Sequence, residues 1–359
     1  MPDLFDGFYR NRSVFLTGHT GFKGRWLACW LEMLGADVTG YALPPLFPPL
    51  DTPLRKPNLK REYLEDIRNF DIVAEAVCDS MPDIVVHLAA QPIVRKSYVD
   101  PIETLTTNVI GTANLLEACR RCPTVRAILV VTSDKCYQNR EWDWGYREID
   151  PLGGHDPYSA SKACAELVAG CFRDSFSETA SLATCRTGNV IGGGDWGEDR
   201  LIPDMIRAAL NRETTMIRNP TATRPWLHVL DPLRGYLLLG KKLLEESNHD
   251  RYARPWNFGP DADANLSVHD LVKLVAKLWD RVEYDLTTDP MPHENRFLML
   301  DSARARKQLG WKPRWNIVEA TRRTMEWYKN YSENGADLTE RQILGYTTEV
   351  RQCQESCHG

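Results

Sequence analysis

Long apolar runs are missing from this sequence. No stretch approaches the roughly 20 consecutive apolar residues of a membrane-spanning helix. The first residues also lack the basic end followed by an apolar run that marks a secretory signal. With 43% hydrophobic and 26% charged residues, the composition is that of an ordinary globular protein. The sequence therefore predicts a cytoplasmic chain with no membrane partner.

An excess of positive charge is missing too. The formal net charge is -5, with 44 lysines and arginines against 49 aspartates and glutamates. Nucleic-acid binding depends mainly on lysine and arginine neutralising phosphates. The charge balance therefore argues against a nucleic-acid partner, and we expect any bound nucleotide to be small.

Cysteines at metal-binding spacing are scarce. The closest pairs among the ten cysteines are Cys119/Cys122 and Cys353/Cys357, and neither has a second pair or a histidine set at the spacing of a zinc site. We predict reduced thiols and no metal.

Short apolar runs alternate with helical patterns along the chain. Strand-like runs occur at 14–17, 37–41, 84–88, 127–132 and 181–186. Strands buried on both faces that alternate with helices form parallel sheets with right-handed crossovers. The sequence predicts an α/β fold, in which a doubly wound parallel Rossmann sheet is joined to a smaller mixed α/β C-terminal substrate lobe.

Length and a break in the alternation predict two lobes. A chain of 359 residues exceeds what one hydrophobic core usually organises, and the alternation stops after Asn189. The predicted division is a Rossmann domain at 1–188 with a return at 231–260, a substrate lobe at 189–230 and 261–345, and a polar tail at 346–359.

Three glycines recur as G-x-x-G-x-x-G where the first strand meets the first helix. Such a turn lets the backbone approach a pyrophosphate, and the amides of the helix N-terminus hold the anion. We therefore predict a dinucleotide site. The expected cofactor residues are Gly18, His19, Thr20, Gly21, Phe22, Lys23, Gly24, Asp66, Ile67, Leu88, Ala89 and Ala90, together with Tyr158 and Lys162.

The acidic residue typical of NAD sites is missing from the second strand. This strand ends Gly40-Tyr41-Ala42, without the Asp or Glu that binds an adenosine ribose. On this ground the choice between NAD and NADP stays open. We favour NAD because no arginine cluster follows Gly40 directly to bind a 2′-phosphate.

Tyr158 and Lys162 stand four residues apart in a predicted helix, so their side chains share one face. We expect the nearby ammonium and the positive nicotinamide ring to lower the pKa of the phenol, which could then accept an alcohol proton. A lone Tyr-x-x-x-Lys is common on helix surfaces. Its combination with the glycine turn and with Ser133 at a strand end predicts a reacting site.

With these motifs the chain resembles the extended short-chain dehydrogenase/reductase family from Gly18 to Trp311. Members that modify nucleotide sugars share the glycine motif, His87-Leu-Ala-Ala, Asn108-Val-Ile-Gly-Thr and the Ser/Tyr/Lys trio. The resemblance implies NAD as cofactor. It also implies that Ser133 holds a sugar hydroxyl, Tyr158 takes its proton and Lys162 binds the cofactor ribose.

The segment Thr132-Ser-Asp-Lys-Cys-Tyr137 resembles the 4,6-dehydratase branch, in which an acidic residue follows the Ser or Thr. Most members then carry Glu, whereas this chain has Lys135. The resemblance implies CDP-glucose as substrate, a neutral Lys135 that removes the C5 proton, and a protonated Asp134 that donates to the departing C6 hydroxyl. Both roles require shifted pKa values.

Three alternatives remain at this point: a dehydratase for another nucleoside-diphosphate hexose, a UDP-hexose 4-epimerase, and a non-catalytic NAD(H)-sensing regulator. An epimerase has no use for the Asp134-Lys135 pair. A regulator need not keep Tyr158 and Lys162.

Arginines and aromatic residues of the second lobe are candidates for the nucleotide end of the substrate, because arginine can bind a diphosphate with two hydrogen bonds. Surface salt bridges are the alternative for Arg224 and Arg296. The expected substrate residues are Gln91, Ser133, Asn189, Asp195, Trp196, Arg200, Leu201, Arg207, Arg224 and Arg296. The resemblance also implies a homodimer through helices near 103–119 and 157–172.

Overall fold

The strands belong to one large sheet and several two-stranded ones. The computed structural model describes residues 3–45, 54–245, 249–261, 265–287 and 297–356. The strands are β1 (Ser13–Thr17), β2 (Asp37–Tyr41), β3 (Arg61–Tyr63), β4 (Ile84–His87), β5 (Ala127–Val131), β6 (Ser181–Thr187), β7 (Val190–Ile191), β8 (Thr214–Ile217), β9 (Thr223–Pro225), β10 (Leu227–His228), β11 (Pro255–Phe258), β12 (Asn265–Ser267) and β13 (Glu283–Leu286).

Helices fill most of the connections between these strands. They are α1 (Phe22–Met33), α2 (Phe70–Ser80), α3 (Val94–Val99), α4 (Pro101–Leu105), α5 (Gly111–Arg121), α6 (Pro157–Ser175), α7 (Leu201–Asn211), α8 (Leu230–Glu245), α9 (His249–Tyr252), α10 (Val268–Leu278), α11 (Ala303–Leu309), α12 (Ile317–Asn334) and α13 (Thr339–Ser356). A π-helical turn, Thr106–Ile110, joins α4 to α5, and a 3-10 turn, Asp134–Cys136, follows β5.

The central sheet has the order β11-β6-β5-β4-β1-β2-β3, and every neighbouring pair in it is parallel. Successive side chains of β1 alternate between two apolar cores. Val14 and Leu16 pack with α1 on one side, whereas Phe15 packs with Val77 and Leu115 of α2 and α5 on the other. The predicted doubly wound parallel sheet is therefore confirmed.

The second lobe is built around small sheets that pair β7 with β10, β9 with β12 and β8 with β13. The β9–β12 pair is antiparallel, whereas the other two pairs are parallel. Strand β11 returns to the large sheet, where Trp256 pairs with Cys185 of β6. The domain boundaries themselves stay predictions.

The C-terminal segment departs from the polar tail predicted at 346–359. Helix α13 covers this stretch as far as Ser356, and Tyr346 and Val350 are buried. The Tyr346 hydroxyl donates to Asp231 Oδ1 at 2.7 Å. The polar composition concealed a narrow apolar stripe at helical spacing, which includes Ile343 and packs near Trp30 of α1.

Across the described ranges, we find no helix whose length and apolar character would let it cross a membrane.

Candidate active site

A cleft of about 1810 Å³ lies beside the carboxyl ends of the parallel strands, where open α/β sheets bind ligands. Its wall contains the predicted cofactor residues Gly18, His19, Thr20, Gly21, Phe22, Lys23, Gly24, Asp66, Ile67, Leu88, Ala89 and Ala90. It also contains Ser133, Asp134, Lys135, Tyr158 and Lys162. The fold thus brings the glycine turn at 18–24 into the same cleft as Ser133, which lies more than 100 positions later in the chain.

The glycine turn leaves its backbone open to a ligand. Gly18 has φ +74°, and a Cβ there would lie 2.7 Å from the amide nitrogen of Ala89. A Cβ at Gly24 would collide with the carbonyl oxygen of Gly18. Helix α1 begins after Gly21 with no side-chain cap and no acidic residue in its first turn. Its amides and positive dipole end therefore fit the pyrophosphate of a dinucleotide.

A buried chain of hydrogen bonds holds the end of β4 against this turn. The amides of Leu88 and Ala89 both donate to Thr17 Oγ1 at 3.1 Å, and His87 Nδ1 lies 2.7 Å from the same oxygen. Burial lowers the pKa of His87 to about 3, so its ring is neutral and Nδ1 accepts the hydroxyl proton of Thr17. Nε2 then donates to Thr112 at 3.1 Å. No role was predicted for Thr17 or for Thr112, although Thr112 ends the Asn108-Val-Ile-Gly-Thr motif.

Tyr158 and Lys162 lie on α6, whose first turn is capped by Asp156 accepting from the amide of Ser159 at 2.9 Å. Lys162 Nζ lies 3.5 Å from the carbonyl oxygen of Val131. Burial lowers the pKa of Lys162 to about 8.

The expected lowering of the Tyr158 pKa is not found in the chain itself. Burial raises this pKa to about 12, although the hydrogen bond with Ser133 and the charge of Arg200 oppose the increase. Desolvation of the phenolate outweighs the nearby positive charge.

Asp134 is buried at the end of β5, in the short 3-10 turn. The Ser133 hydroxyl donates to Asp134 Oδ1 at 2.9 Å and accepts from the Lys135 amide at 3.2 Å. Burial raises the pKa of Asp134, against the positive charges of Lys135 and Arg224. Its Oδ2 atom is buried and has no hydrogen-bond partner among the described residues. Burial thus shifts this carboxyl toward the protonated form that an acid needs.

A buried ion pair that the sequence analysis missed supports this turn. Arg186 of β6 and Glu166 of α6 are joined at 2.7 Å, and their side chains are only 2% and 1% exposed. Glu166 also accepts from Thr132, and Arg186 donates to the hydroxyl of Tyr137 at 2.8 Å. The pair thus ties the helix of Tyr158 to both ends of the 132–137 segment. Glu166 follows Lys162 by four residues, a spacing that could have suggested it.

The predicted substrate residues fall into three groups. Those that line the same cleft are Gln91, Ser133, Asn189, Asp195, Trp196, Arg200, Leu201 and Arg224. Arg207 is not part of this wall, and its guanidinium donates to the carbonyl of Trp196 at 2.7 Å and forms an ion pair with Asp204. The first of these contacts joins α7 to the loop that precedes it. Arg296 lies outside the described residues.

The predicted cysteine chemistry can be compared only in part. The described cysteines are free thiols, and no group of three metal-ligating side chains occurs within the described residues. Cys357 lies outside the described ranges.

Comparison with known proteins identifies the family. A model of the GDP-mannose 4,6 dehydratase family matches residues 15–324. The chain belongs to this family. The curated CDP-glucose 4,6-dehydratase of Salmonella typhimurium (strain LT2) is 46% identical over 351 residues, which cover 94% of this chain and 97% of that protein. The predicted family membership is therefore confirmed.

Solved structures show the same fold. MoeE5 in complex with UDP-glucose and NAD is 27% identical, with a TM-score of 0.74 over 89% of this chain and 99% of that one. A second structure is the double mutant of DesIV, a dTDP-glucose 4,6-dehydratase from Streptomyces venezuelae, with NAD and DAU bound. It is 24% identical, with a TM-score of 0.74 over 89% of this chain and 97% of that one. The latter likeness supports the fold alone.

Proposed function

We propose that the chain is an NAD-dependent hydro-lyase that converts CDP-glucose into CDP-4-keto-6-deoxyglucose and water. The observation that carries the proposal is the buried Asp134, which adjoins Ser133 and Lys135 in the same cleft wall as Tyr158. The 46% identity to a CDP-glucose 4,6-dehydratase supports the choice of this reaction and of cytosine as the nucleobase of the substrate.

The glycine turn and α6 would hold the cofactor. The first amides of α1, which have no side-chain cap, would bind the pyrophosphate, and Lys162 would bind the ribose beside the nicotinamide. When bound, NAD accepts a hydride from the sugar and later returns it, so the reaction has no net redox change.

Tyr158 would remove the proton of the C4 hydroxyl, and Ser133 would hold that hydroxyl. Burial raises the pKa of Tyr158, so ionisation of the phenol needs positive charge nearby. The ammonium of Lys162, on the same face of α6, supplies such a charge. The resulting C4 ketone acidifies the hydrogen at C5.

Lys135 and Asp134 would carry the elimination. Lys135 takes the C5 proton, and Asp134 gives a proton to the C6 hydroxyl, which leaves as water. When hydride is returned to C6, Lys135 would give a proton back to C5, which completes the 4-keto-6-deoxy product. The raised pKa of Asp134 supports its part as the acid, because a protonated carboxyl has a proton to give. Burial of Asp134 and Tyr158 would limit the access of bulk water to the intermediate.

Arg200 and Arg224 would hold the diphosphate of the substrate. Both line the cleft, and Arg200 is oriented by Asp195, whose two carboxylate oxygens each lie 2.9 Å from its guanidinium. Arg224 is buried. A fixed guanidinium offers the paired hydrogen bonds that a diphosphate accepts.

The test incubates the purified protein and NAD separately with CDP-, dTDP-, UDP- and GDP-glucose. We expect a product lighter by one water from CDP-glucose, and deuterium at C5 when the solvent is D₂O. The Lys135→Met variant should form no such product. A C4 epimer without loss of water would instead indicate an epimerase, and a preference for another nucleotide would contradict the CDP assignment.

We also propose a homodimer through the helical face formed by α3 to α6. Val99 is 85% and Ile102 68% exposed, and Ile110 and Leu167 are exposed as well. An apolar surface of this kind marks an interaction site, and two-fold pairing of identical helices would cover it. Sedimentation should show a dimer, whereas the double variant Ile102→Glu, Leu167→Glu should be monomeric. A monomer in both cases would refute the proposal. The cytoplasmic location stays a prediction.

A further inference from the structure

The missing acidic residue of the second strand has a structural explanation. Gly40 of β2 lies beneath the ring of His19, a residue of the glycine turn. A Cβ at Gly40 would lie 2.7 Å from Cγ and 2.8 Å from Nδ1 of this ring. The ring is almost completely buried, so it cannot move aside at low cost. The turn therefore excludes any carboxylate that β2 could present at Gly40.

The next strand supplies a carboxylate at the same level. Glu62 of β3 pairs with Gly40 in the parallel register, so both lie on the same face of the sheet. Its Oε1 lies 2.9 Å from Nε2 of His19. The Glu62 side chain is 50% exposed and lines the cleft close to the glycine turn. The His19 ring thus fills the space that a side chain at Gly40 would occupy, and it also forms a hydrogen bond with the Glu62 carboxylate.

Two guanidinium groups on this side of the cleft already have carboxylate partners. Arg55 pairs with Glu32 at 3.0 Å and with Glu340. Arg68 pairs with Asp66. A 2′-phosphate would have to compete with these carboxylates for both guanidinium groups.

We propose that Glu62 selects NAD over NADP. Its carboxylate accepts a hydrogen bond from a hydroxyl of the adenosine ribose and would repel a 2′-phosphate. The position of Glu62 beside the glycine turn places it on the side of β2 where dinucleotide folds bind this ribose. Like charges brought together in a binding site weaken binding strongly. The inference rests on the dinucleotide part of the proposed function but not on the identity of the sugar nucleotide.

The test measures dissociation constants of NADH and NADPH by nicotinamide fluorescence, without substrate or turnover. The unaltered protein should bind NADH at least about tenfold more tightly than NADPH, and Glu62→Gln should narrow this ratio by roughly tenfold, mainly through tighter NADPH binding. The matched control is Glu65→Gln, since Glu65 is an exposed carboxylate that lines the same cleft. Its ratio should stay that of the unaltered protein.

Two results would overturn the inference: an unchanged ratio in Glu62→Gln, or equal narrowing in both variants, which would indicate a general effect of net charge. Failure of the unaltered protein to bind either dinucleotide would contradict the proposed function and the inference together. Binding with an unchanged ratio would contradict the inference alone.

Discussion

Charged and polar side chains lie at two places along the same cleft, in very different surroundings. The reaction end consists of Ser133, Asp134, Lys135, Tyr158 and Lys162. The rim consists of Glu62, Asp66 and Arg68. The reaction end is supported by the fully buried pair of Glu166 and Arg186, whereas the Arg68–Asp66 pair at the rim is 41% and 30% exposed.

The two places differ in what controls the pKa values. At the reaction end, burial is the largest cause of the shifts of Asp134, Tyr158 and Lys162. At the rim, the hydrogen bond from Arg68 is the largest cause that lowers the pKa of Asp66. Desolvation therefore dominates the pKa shifts at the reaction end, whereas at the exposed rim water weakens the interactions between charges. Changes at the reaction end should have much larger effects.

Loss of the Tyr158 hydroxyl should have the largest effect on activity. Tyr158→Phe removes the group that takes the C4 proton, and we expect product formation to fall by about 10³-fold, as is typical for a lost general base. Product formation is followed by mass spectrometry, with binding of NADH by the variant as the control. A loss of less than about tenfold would show that another group takes this proton.

Breaking the buried ion pair should have the largest effect on stability. Glu166→Ala leaves Arg186 buried without its carboxylate, and we expect the free energy of unfolding to fall by about 3–5 kcal/mol. Denaturant titration measures the change. The control is Glu117→Ala, which breaks ion pairs of Arg120 and Arg121 at the surface and should leave stability nearly unchanged. Equal losses would refute the contrast between buried and exposed pairs.

The pH dependence of kcat/KM should reflect the ionisation of Lys162. Its pKa is lowered to about 8, so the protonated form is lost, and activity with it, as the pH rises through about 8. Glu166 raises this pKa, so the alkaline limb should move to lower pH in Glu166→Gln. Lys23 also has a pKa of about 8, but Glu166 is not among the groups that shift it. An unmoved limb would exclude Lys162 as its origin.

The rim ion pair should have the smallest effect. Arg68→Ala should change the free energy of unfolding by less than about 1 kcal/mol, because water and salt screen an exposed pair. Denaturant titrations without added salt and with about 0.5 M salt, which shortens the Debye length, should show that this small effect disappears in salt. A larger loss that persists in salt would mean that Arg68 supports the structure of the segment around Asp66 and Ile67.

Local motifs predicted most of the site. The glycine turn and the Tyr158/Lys162 pair depend on spacings within one strand-turn-helix unit or one helix, and the fold places both groups in the same cleft. Predictions that depended on where a helix faces succeeded less well. Arg207 lies on α7 next to the predicted substrate residues, but its guanidinium donates to carbonyls of the loop that precedes α7. The polar composition near the C-terminus hid the buried face of α13.

The sequence by itself determined the parallel α/β fold and the glycine turn and suggested the proposed reacting groups, because each depends on periodicity or on residues close together in the chain. Only the tertiary structure decided that Glu166 meets Arg186, that His19 covers Gly40 and that Glu62 stands beside it. These contacts join separate elements of the chain. Their energies come from burial and register, which no spacing within a single segment encodes.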